Sequence, residues 1–234
     1  MARPSGADDP AVTPAGADLR TVVLMRHGET PLTVARASSG GVLPGPSLTT
    51  RGRTQAARAA DAVFRLGKDL WPGLPRAGAL VASPTARTLE TAAAVGRRVG
   101  QHVRPDARLI ECDFGAWEGL TPEQIVAGWP EERAAWSAGT GPTPGGESYA
   151  QVGSRAWEGL RDVVAGSDPS LTSVVVTHLI VVRALVGRAL AAPTSSWRRL
   201  HVPSGSLTLL RFRVRDDGDL ELDELTAAGF PTDV

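Results

Sequence analysis

Val22-Val23-Leu24-Met25-Arg26-His27-Gly28-Glu29-Thr30 runs from four apolar residues straight into an arginine, a histidine and a glycine. The apolar run reads as a buried strand, Leu19 to Met25, and the polar triplet falls where it ends. In an open α/β sheet, ligands bind outside the carboxyl ends of strands. This stretch therefore places a cation and a titratable nucleophile where a ligand could be held.

Two further strands end in the same way. Ala79-Leu80-Val81-Ala82 stops at Ser83-Pro84, with Arg87 one turn into the following helix, and Leu171 to Thr177 stops at His178. Ser83 as N-cap with Pro84 at the first helical position is a start signal for that helix. If the three strands are parallel neighbours, two arginines and two histidines meet at one sheet edge. Paired guanidinium donors and helix N-termini favour a phosphate there. A neutral imidazole among cations can attack phosphorus. The leaving alkoxide then needs a proton, and Glu111, after Leu109-Ile110, is the acid best placed to give it.

Outward from these ends, the chain alternates strand and helix. Helices are expected from Thr49 or Thr50 to about Leu66, from Pro84 to Val99, from Glu147 to Val164 and after His178 to about Ala191. A short helix is expected from Thr121, a short strand at His102 to Arg104 and another helical turn at Ser195 to Leu200. Pro31 to Pro46 and Gly139 to Gly146 read as loops. Leu207 to Val214 and Leu220 to Leu225, joined through Asp217-Gly218, read as a closing hairpin. The fold class is α/β: a three-layer α/β/α sandwich with a mostly parallel central sheet and an antiparallel edge strand. Residues 1–18, rich in Ala, Gly, Pro and Asp, are expected to be a disordered tail before a domain spanning 19–234.

Composition narrows the function. The 234 residues carry 25 basic and 25 acidic side chains, a net charge of +0, which argues against a nucleic-acid surface. The 42% hydrophobic content supports a sizeable core. The longest apolar region, Val174 to Ala192, is broken by His178, Arg183 and Arg188, so no membrane span is expected. Cys112 is the only cysteine, so neither an intrachain disulfide nor a cysteine zinc cluster can form. With no signal-peptide core at the N-terminus, a cytoplasmic protein is expected. A homodimer is compatible with the sequence.

Two other chemistries fail on context. Gly146-Glu147-Ser148-Tyr149-Ala150 approaches a serine-hydrolase elbow, but a Gly/Pro loop precedes it where a strand is required. Gly67-Lys68 is not followed by Ser or Thr and lacks the earlier glycine of a phosphate loop.

The ordered set Arg26-His27-Gly28-Glu29-Thr30, Leu48-Thr49-Thr50-Arg51-Gly52, Ser83-Pro84-Thr85-Ala86-Arg87-Thr88, Leu109-Ile110-Glu111, Phe114-Gly115-Ala116-Trp117-Glu118-Gly119, Gly145-Gly146-Glu147-Ser148 and Val176-Thr177-His178 resembles the histidine phosphatase superfamily, the phosphoglycerate-mutase-like group. The likeness runs from about Leu19 to Val214. It is nearest to phosphatases such as bacterial acid phosphatases and α-ribazole phosphatases, and to the phosphatase domain fused behind ribonuclease H in some bacteria. The resemblance implies that His27 is phosphorylated, that Arg26, Arg87 and His178 hold the phosphoryl group, and that Glu111 donates the proton. It implies no metal and no other cofactor. Substrate contacts are implied at Arg26, Thr33, Ser39, Gly40, Arg87, Glu111, His178 and Leu179. The chain departs from the family pattern at Thr33, which replaces a common asparagine, at Ala37, which replaces a common arginine, and at Leu179-Ile180, which replace common glycines. The implied function is a metal-independent phosphomonoesterase acting on a small phosphorylated metabolite through a phosphohistidine. The alternatives are mutase-type phosphoryl transfer and a non-catalytic phosphate-ligand binding protein on the same fold.

Overall fold

The central strand, β4 (Thr172–Thr177), is buried at every residue, as expected of a strand covered on both faces. The structure is a computed structural model describing residues 19–232. The tail expected over residues 1–18 lies outside the described residues. Around β4 the elements run β1 (Leu19–Arg26), α1 (Pro31–Val34), α2 (Thr50–Arg65), β2 (Ala77–Ala82), α3 (Ala86–Val99) and β3 (Val103–Pro105). They continue with α4 (Pro122–Gly128), α5 (Pro130–Ala138), α6 (Tyr149–Ala165), α7 (Leu179–Ala189), α8 (Thr194–Trp197), β5 (Leu207–Val214) and β6 (Leu220–Phe230).

The six strands form one sheet in the order β3-β2-β4-β1-β5-β6. The first four are parallel; β5 is antiparallel to both β1 and β6, so the antiparallel edge is a two-stranded hairpin. Alternate residues feed two cores. Val23, Met25, Leu80, Ala82, Val174 and Val176 pack with Ala59, Ala60 and Val63 of α2 and Ala92 and Val95 of α3. Val22, Leu24, Val81 and Val175 pack on the other face with α6 and α7. This period-two partition makes the three-layer sandwich.

Register is what builds the site. Arg26 pairs with Thr177, and Ala82 pairs with Val176. The next residues, His27, His178 and Ser83, therefore leave the sheet side by side. The loop after His27 then passes against the first turn of α2. A Cβ on Gly28 would run into the Gly52 carbonyl oxygen, and one on Gly52 would run into that of Glu29. Two glycines at this crossing keep the chain close to the sheet edge.

Several local expectations are corrected. The Pro31–Pro46 loop contains α1, started by a reciprocal capping box between Thr30 and Thr33. Ser83 does not cap α3: Thr85 occupies that position, and Ser83 is spent elsewhere. Ala107–Leu109 is a 3-10 turn, and Glu111 reaches the site from the loop after it. Helix α6 begins after Ser148, whose hydroxyl forms a capping box with Gln151. That leaves Glu147 outside the helix to pair with Arg155 at 2.7 Å. Among the described residues no helix is long and apolar enough to cross a membrane.

Candidate active site

His27 follows β1 directly and is 5% exposed. Its backbone N–H donates to the Thr177 carbonyl at 3.0 Å, and its ring Nδ1 lies 2.7 Å from the Gly28 carbonyl oxygen. A carbonyl only accepts, so Nδ1 carries the proton and Nε2 keeps its lone pair. Burial holds the imidazole well below its usual pKa, and the charges of Arg87 and Arg26 push in the same direction. At neutral pH the ring is uncharged, with the Nε2 lone pair free.

His178 is fully buried, with its ring 5.2 Å from that of His27. Its Nε2 lies 2.7 Å from the Ser83 hydroxyl, while Nδ1 has no partner. Arg87, in the first turn of α3, is 1% exposed. Its Nη2 donates to the carbonyls of Ser39 at 3.1 Å and Gly40 at 3.0 Å, leaving Nε and Nη1 buried and unpartnered. Arg26 donates through Nη1 to the Val202 carbonyl at 2.7 Å and leaves Nε unpartnered. Burial lowers the Arg26 pKa to about 10, with Glu111 opposing the shift and Arg183 and Arg87 adding to it. Buried cations without counter-charge are costly. This cluster of unsatisfied nitrogens, all able to donate, is what a phosphoryl dianion would satisfy.

Glu111 is buried beside them. Its Oε1 accepts the Cys112 N–H at 2.9 Å, and its Oε2 accepts the Ile180 N–H, in the first turn of α7, at 3.3 Å. Burial raises its pKa; those two amides and the charges of Arg87 and Arg26 offset part of the rise. The carboxyl is thus fixed at both oxygens and biased toward holding a proton.

These groups sit at the floor of a cleft of about 600 Å³. Of the residues expected from sequence, Arg26, His27, Thr33, Ser39, Glu111 and Leu179 line it. Arg87 and His178 lie beneath the floor. Gly40 does not reach the wall. Its N–H is taken by the Glu118 carboxylate at 2.8 and 3.0 Å, and its carbonyl serves Arg87. A Cβ there would lie 2.7 Å from both the Cys112 carbonyl and Glu118 Oε2, so Gly40 serves as a bracket for Arg87. Thr33 is bound to the Thr30 hydroxyl at 2.9 Å and still faces the cleft. Arg36, adjacent to Ala37, supplies a guanidinium to the wall.

Sequence reasoning missed Arg183 and Arg133 in the wall. Arg183 had a signal: it lies four residues after Leu179, on the same face of α7. Trp117 and Trp136 line the cleft, whereas Trp129 packs against the core. His201 is exposed and borders the cleft.

The sequence model of the histidine phosphatase superfamily (branch 1) matches residues 22–222. The chain belongs to this superfamily. Among superfamily relatives, it is 35% identical over 192 residues to a bifunctional protein of Mycobacterium tuberculosis, covering 82% of this chain and 50% of the relative. The chain thus spans about half the length of that relative. It is 36% identical over 189 residues to glucosyl-3-phosphoglycerate phosphatase of the same species, covering 77% of this chain and 80% of that one. The solved structure of a mycobacterial glucosyl-3-phosphoglycerate phosphatase with VO3 superposes with a TM-score of 0.77 at 31% identity, over 90% of this chain and 99% of that one. These matches agree with the α/β fold and the family expected from the sequence.

Proposed function

We propose that this protein is a phosphomonoesterase that hydrolyses a small phosphorylated metabolite through a phosphohistidine, without a metal. The observation that carries the reading is the free lone pair of His27 Nε2 beside unpartnered donors on Arg26, Arg87 and His178. The similarity to phosphatases, one of them solved with VO3, supports it.

His27 Nε2 attacks phosphorus in line with the ester bond. The P–N bond forms as the P–O bond breaks, and the leaving oxygen takes the Glu111 proton. Arg26, Arg87 and His178 hold the charge on the equatorial oxygens, where preorganised donors have most effect. Glu111, now a carboxylate, takes a proton from water as that water attacks the phosphohistidine. Phosphate leaves, and both His27 and Glu111 return to their starting states. The reaction occurs in the cytoplasm on this reading.

Folded protein should turn over p-nitrophenyl phosphate between acid and neutral pH, and EDTA should leave the rate unchanged. Among the described residues no group of three or more His, Cys, Asp or Glu side chains could hold a metal ion. Absence of turnover would favour the non-catalytic binding protein; loss in EDTA reversed by a divalent ion would reject the metal-free route.

Ser83 has a defined part in this scheme. For His178 to donate from Nδ1, its Nε2 must accept, and the Ser83 hydroxyl is the donor in place for that. Ser83→Ala is expected to lower kcat/KM about tenfold, the size of one lost buried hydrogen bond that sets a tautomer. Steady-state kinetics alongside a thermal melt checks this: an unchanged rate in a folded variant would remove Ser83 from the scheme.

A further inference from the structure

Glu111 sits on a loop, yet side chains hold the backbone of that loop along its length. Each carbonyl from Arg108 to Glu111 has a side-chain donor. The Thr177 hydroxyl, at the end of β4, donates to Leu109 at 2.7 Å. The Arg155 guanidinium, on α6, donates to the others: Nη1 to Arg108 at 2.9 Å and to Ile110 at 2.7 Å, and Nη2 to Glu111 at 3.0 Å. Its remaining N–H groups, on Nε and Nη2, go to the Glu147 carboxylate at 2.7 Å each. A guanidinium has five N–H donors, and all of them are spent here, so Arg155 keeps none for a ligand. Glu147 also accepts the Asp113 N–H at 2.9 Å, which fixes the chain on the far side of Glu111.

One of these bonds bears on the carboxyl itself. The Glu111 carbonyl and the Cys112 N–H belong to the same peptide group, which is planar and trans, so they point in opposite directions. Arg155 takes the carbonyl edge, and the amide edge donates to Glu111 Oε1 at 2.9 Å. The guanidinium thereby sets the orientation of the amide that grips the acid. A cation on the carbonyl also polarises the peptide and strengthens its N–H as a donor. A continuous chain of bonds runs from Glu147 through Arg155 and the peptide to the carboxyl. The pair lies behind the loop. It borders a second cleft with Ile110 and Asp113, and neither member lines the cleft that holds His27. Its influence on the reaction passes through the loop.

We propose that Glu147 and Arg155 are positioning residues for the general acid, aiming the Glu111 carboxyl at the leaving oxygen through the peptide between Glu111 and Cys112. The proposal rests on the phosphomonoesterase reading and deepens it. Neither residue touches the reacting atoms. Losing either should cost rate chiefly where the leaving oxygen needs a proton.

Two esters of similar shape test this. Benzyl phosphate and p-nitrophenyl phosphate differ mainly in the basicity of the leaving oxygen. Their kcat/KM values report the steps up to departure of that oxygen and leave out hydrolysis of the phosphohistidine. In Arg155→Met, kcat/KM for benzyl phosphate should fall at least tenfold further than that for p-nitrophenyl phosphate. Arg155→Lys, with three donors where five are used, should fall between wild type and Arg155→Met. Glu147→Gln should shift the ratio in the same direction. The pH profile gives a second readout. Glu111 faces the charges of Arg26 and Arg87 and the amides of Cys112 and Ile180, and the Cys112 amide favours the carboxylate. A weakened amide should therefore move the alkaline limb for benzyl phosphate to higher pH. Equal losses on both esters in a folded variant overturn the proposal and leave the pair as a strut between α6 and the loop. An alkaline limb that stays in place overturns it as well. Where Arg155→Met does not fold, Arg155→Lys and Glu147→Gln decide by the same ratio. A Glu111→Gln variant with no leaving-group preference would instead defeat the acid assignment, and this proposal with it. A selective Glu111→Gln beside an unselective Arg155→Met defeats the proposal alone.

Discussion

His27→Ala is expected to abolish the acid-labile phosphoenzyme and to lower kcat/KM for p-nitrophenyl phosphate by about 10⁴-fold or more, the scale on which enzymes lose rate when a covalent nucleophile is removed. The size follows from how completely the ring has been committed. The Gly28 carbonyl holds Nδ1, so Nε2 is the nucleophilic nitrogen without any rearrangement. Burial and two arginines keep it unprotonated. The two other histidines near the cleft are placed differently: His178 is held through Nε2 by Ser83, and His201 stands at the exposed border. The substitution has a structural cost, since the Gly28 carbonyl loses its partner, and a buried unsatisfied acceptor costs about 1–3 kcal/mol. A thermal melt run on the same sample separates that from lost chemistry. Rapid quenching after mixing with a phosphate-labelled substrate is the direct measurement. Label retained on His27→Ala at the wild-type rate would move the nucleophile elsewhere.

The part of this site that could be read from sequence is the part fixed by strand ends. Arg26-His27, Ser83 and Thr177-His178 each follow an apolar strand, and the parallel register, with Arg26 opposite Thr177 and Ala82 opposite Val176, brings them together. Periodicity announces a strand and where it stops, so this layer was legible. Glu111 was less so. It arrives from a loop after a 3-10 turn, and its position depends on Leu109, fully buried, and on two amide donors that no spacing rule describes. Ser83 was read locally, as a helix cap. The structure instead gives Thr85 that position and spends Ser83 across 95 residues on His178. The part Gly40 plays in the fold was not legible either: both of its backbone polar groups are engaged by Glu118 and Arg87, contacts that no motif spacing describes. The arginines of the wall belong to tertiary packing, and only Arg183, one turn from Leu179, had a periodicity that could have exposed it.

Glu111→Gln is expected to lower kcat/KM for alkyl phosphates by roughly 10²–10⁴-fold, the usual worth of a positioned general acid, and to affect p-nitrophenyl phosphate far less. Nitrophenolate leaves without a proton; an alkoxide does not. Glutamine keeps the shape but offers one acceptor oxygen, so one of the Cys112 and Ile180 N–H groups is left facing its NH2; that defect weighs equally on both kinds of ester, and the leaving-group comparison isolates the proton. The pH dependence carries the sign of the argument. The acid is competent only while protonated, and burial raises its pKa above the usual glutamate value. Turnover of alkyl phosphates should therefore fall as pH rises through that raised pKa, by up to about tenfold per pH unit. His27 sets the opposite limb. Its pKa lies well below that of an ordinary histidine, so the loss on acidification is pushed to low pH. The two shifts together set the optimum between the lowered His27 pKa and the raised Glu111 pKa. The second ionisation of a phosphate ester, near pH 6, falls in the same region, and the variant distinguishes the two. The substrate's ionisation is the same for both proteins, whereas the limb due to Glu111 disappears in Glu111→Gln. Equal losses on alkyl and nitrophenyl esters, or an alkaline limb unchanged by the substitution, would take the acid role away from Glu111. The carboxyl would then be left with the second half-reaction alone, where it activates water against the phosphohistidine.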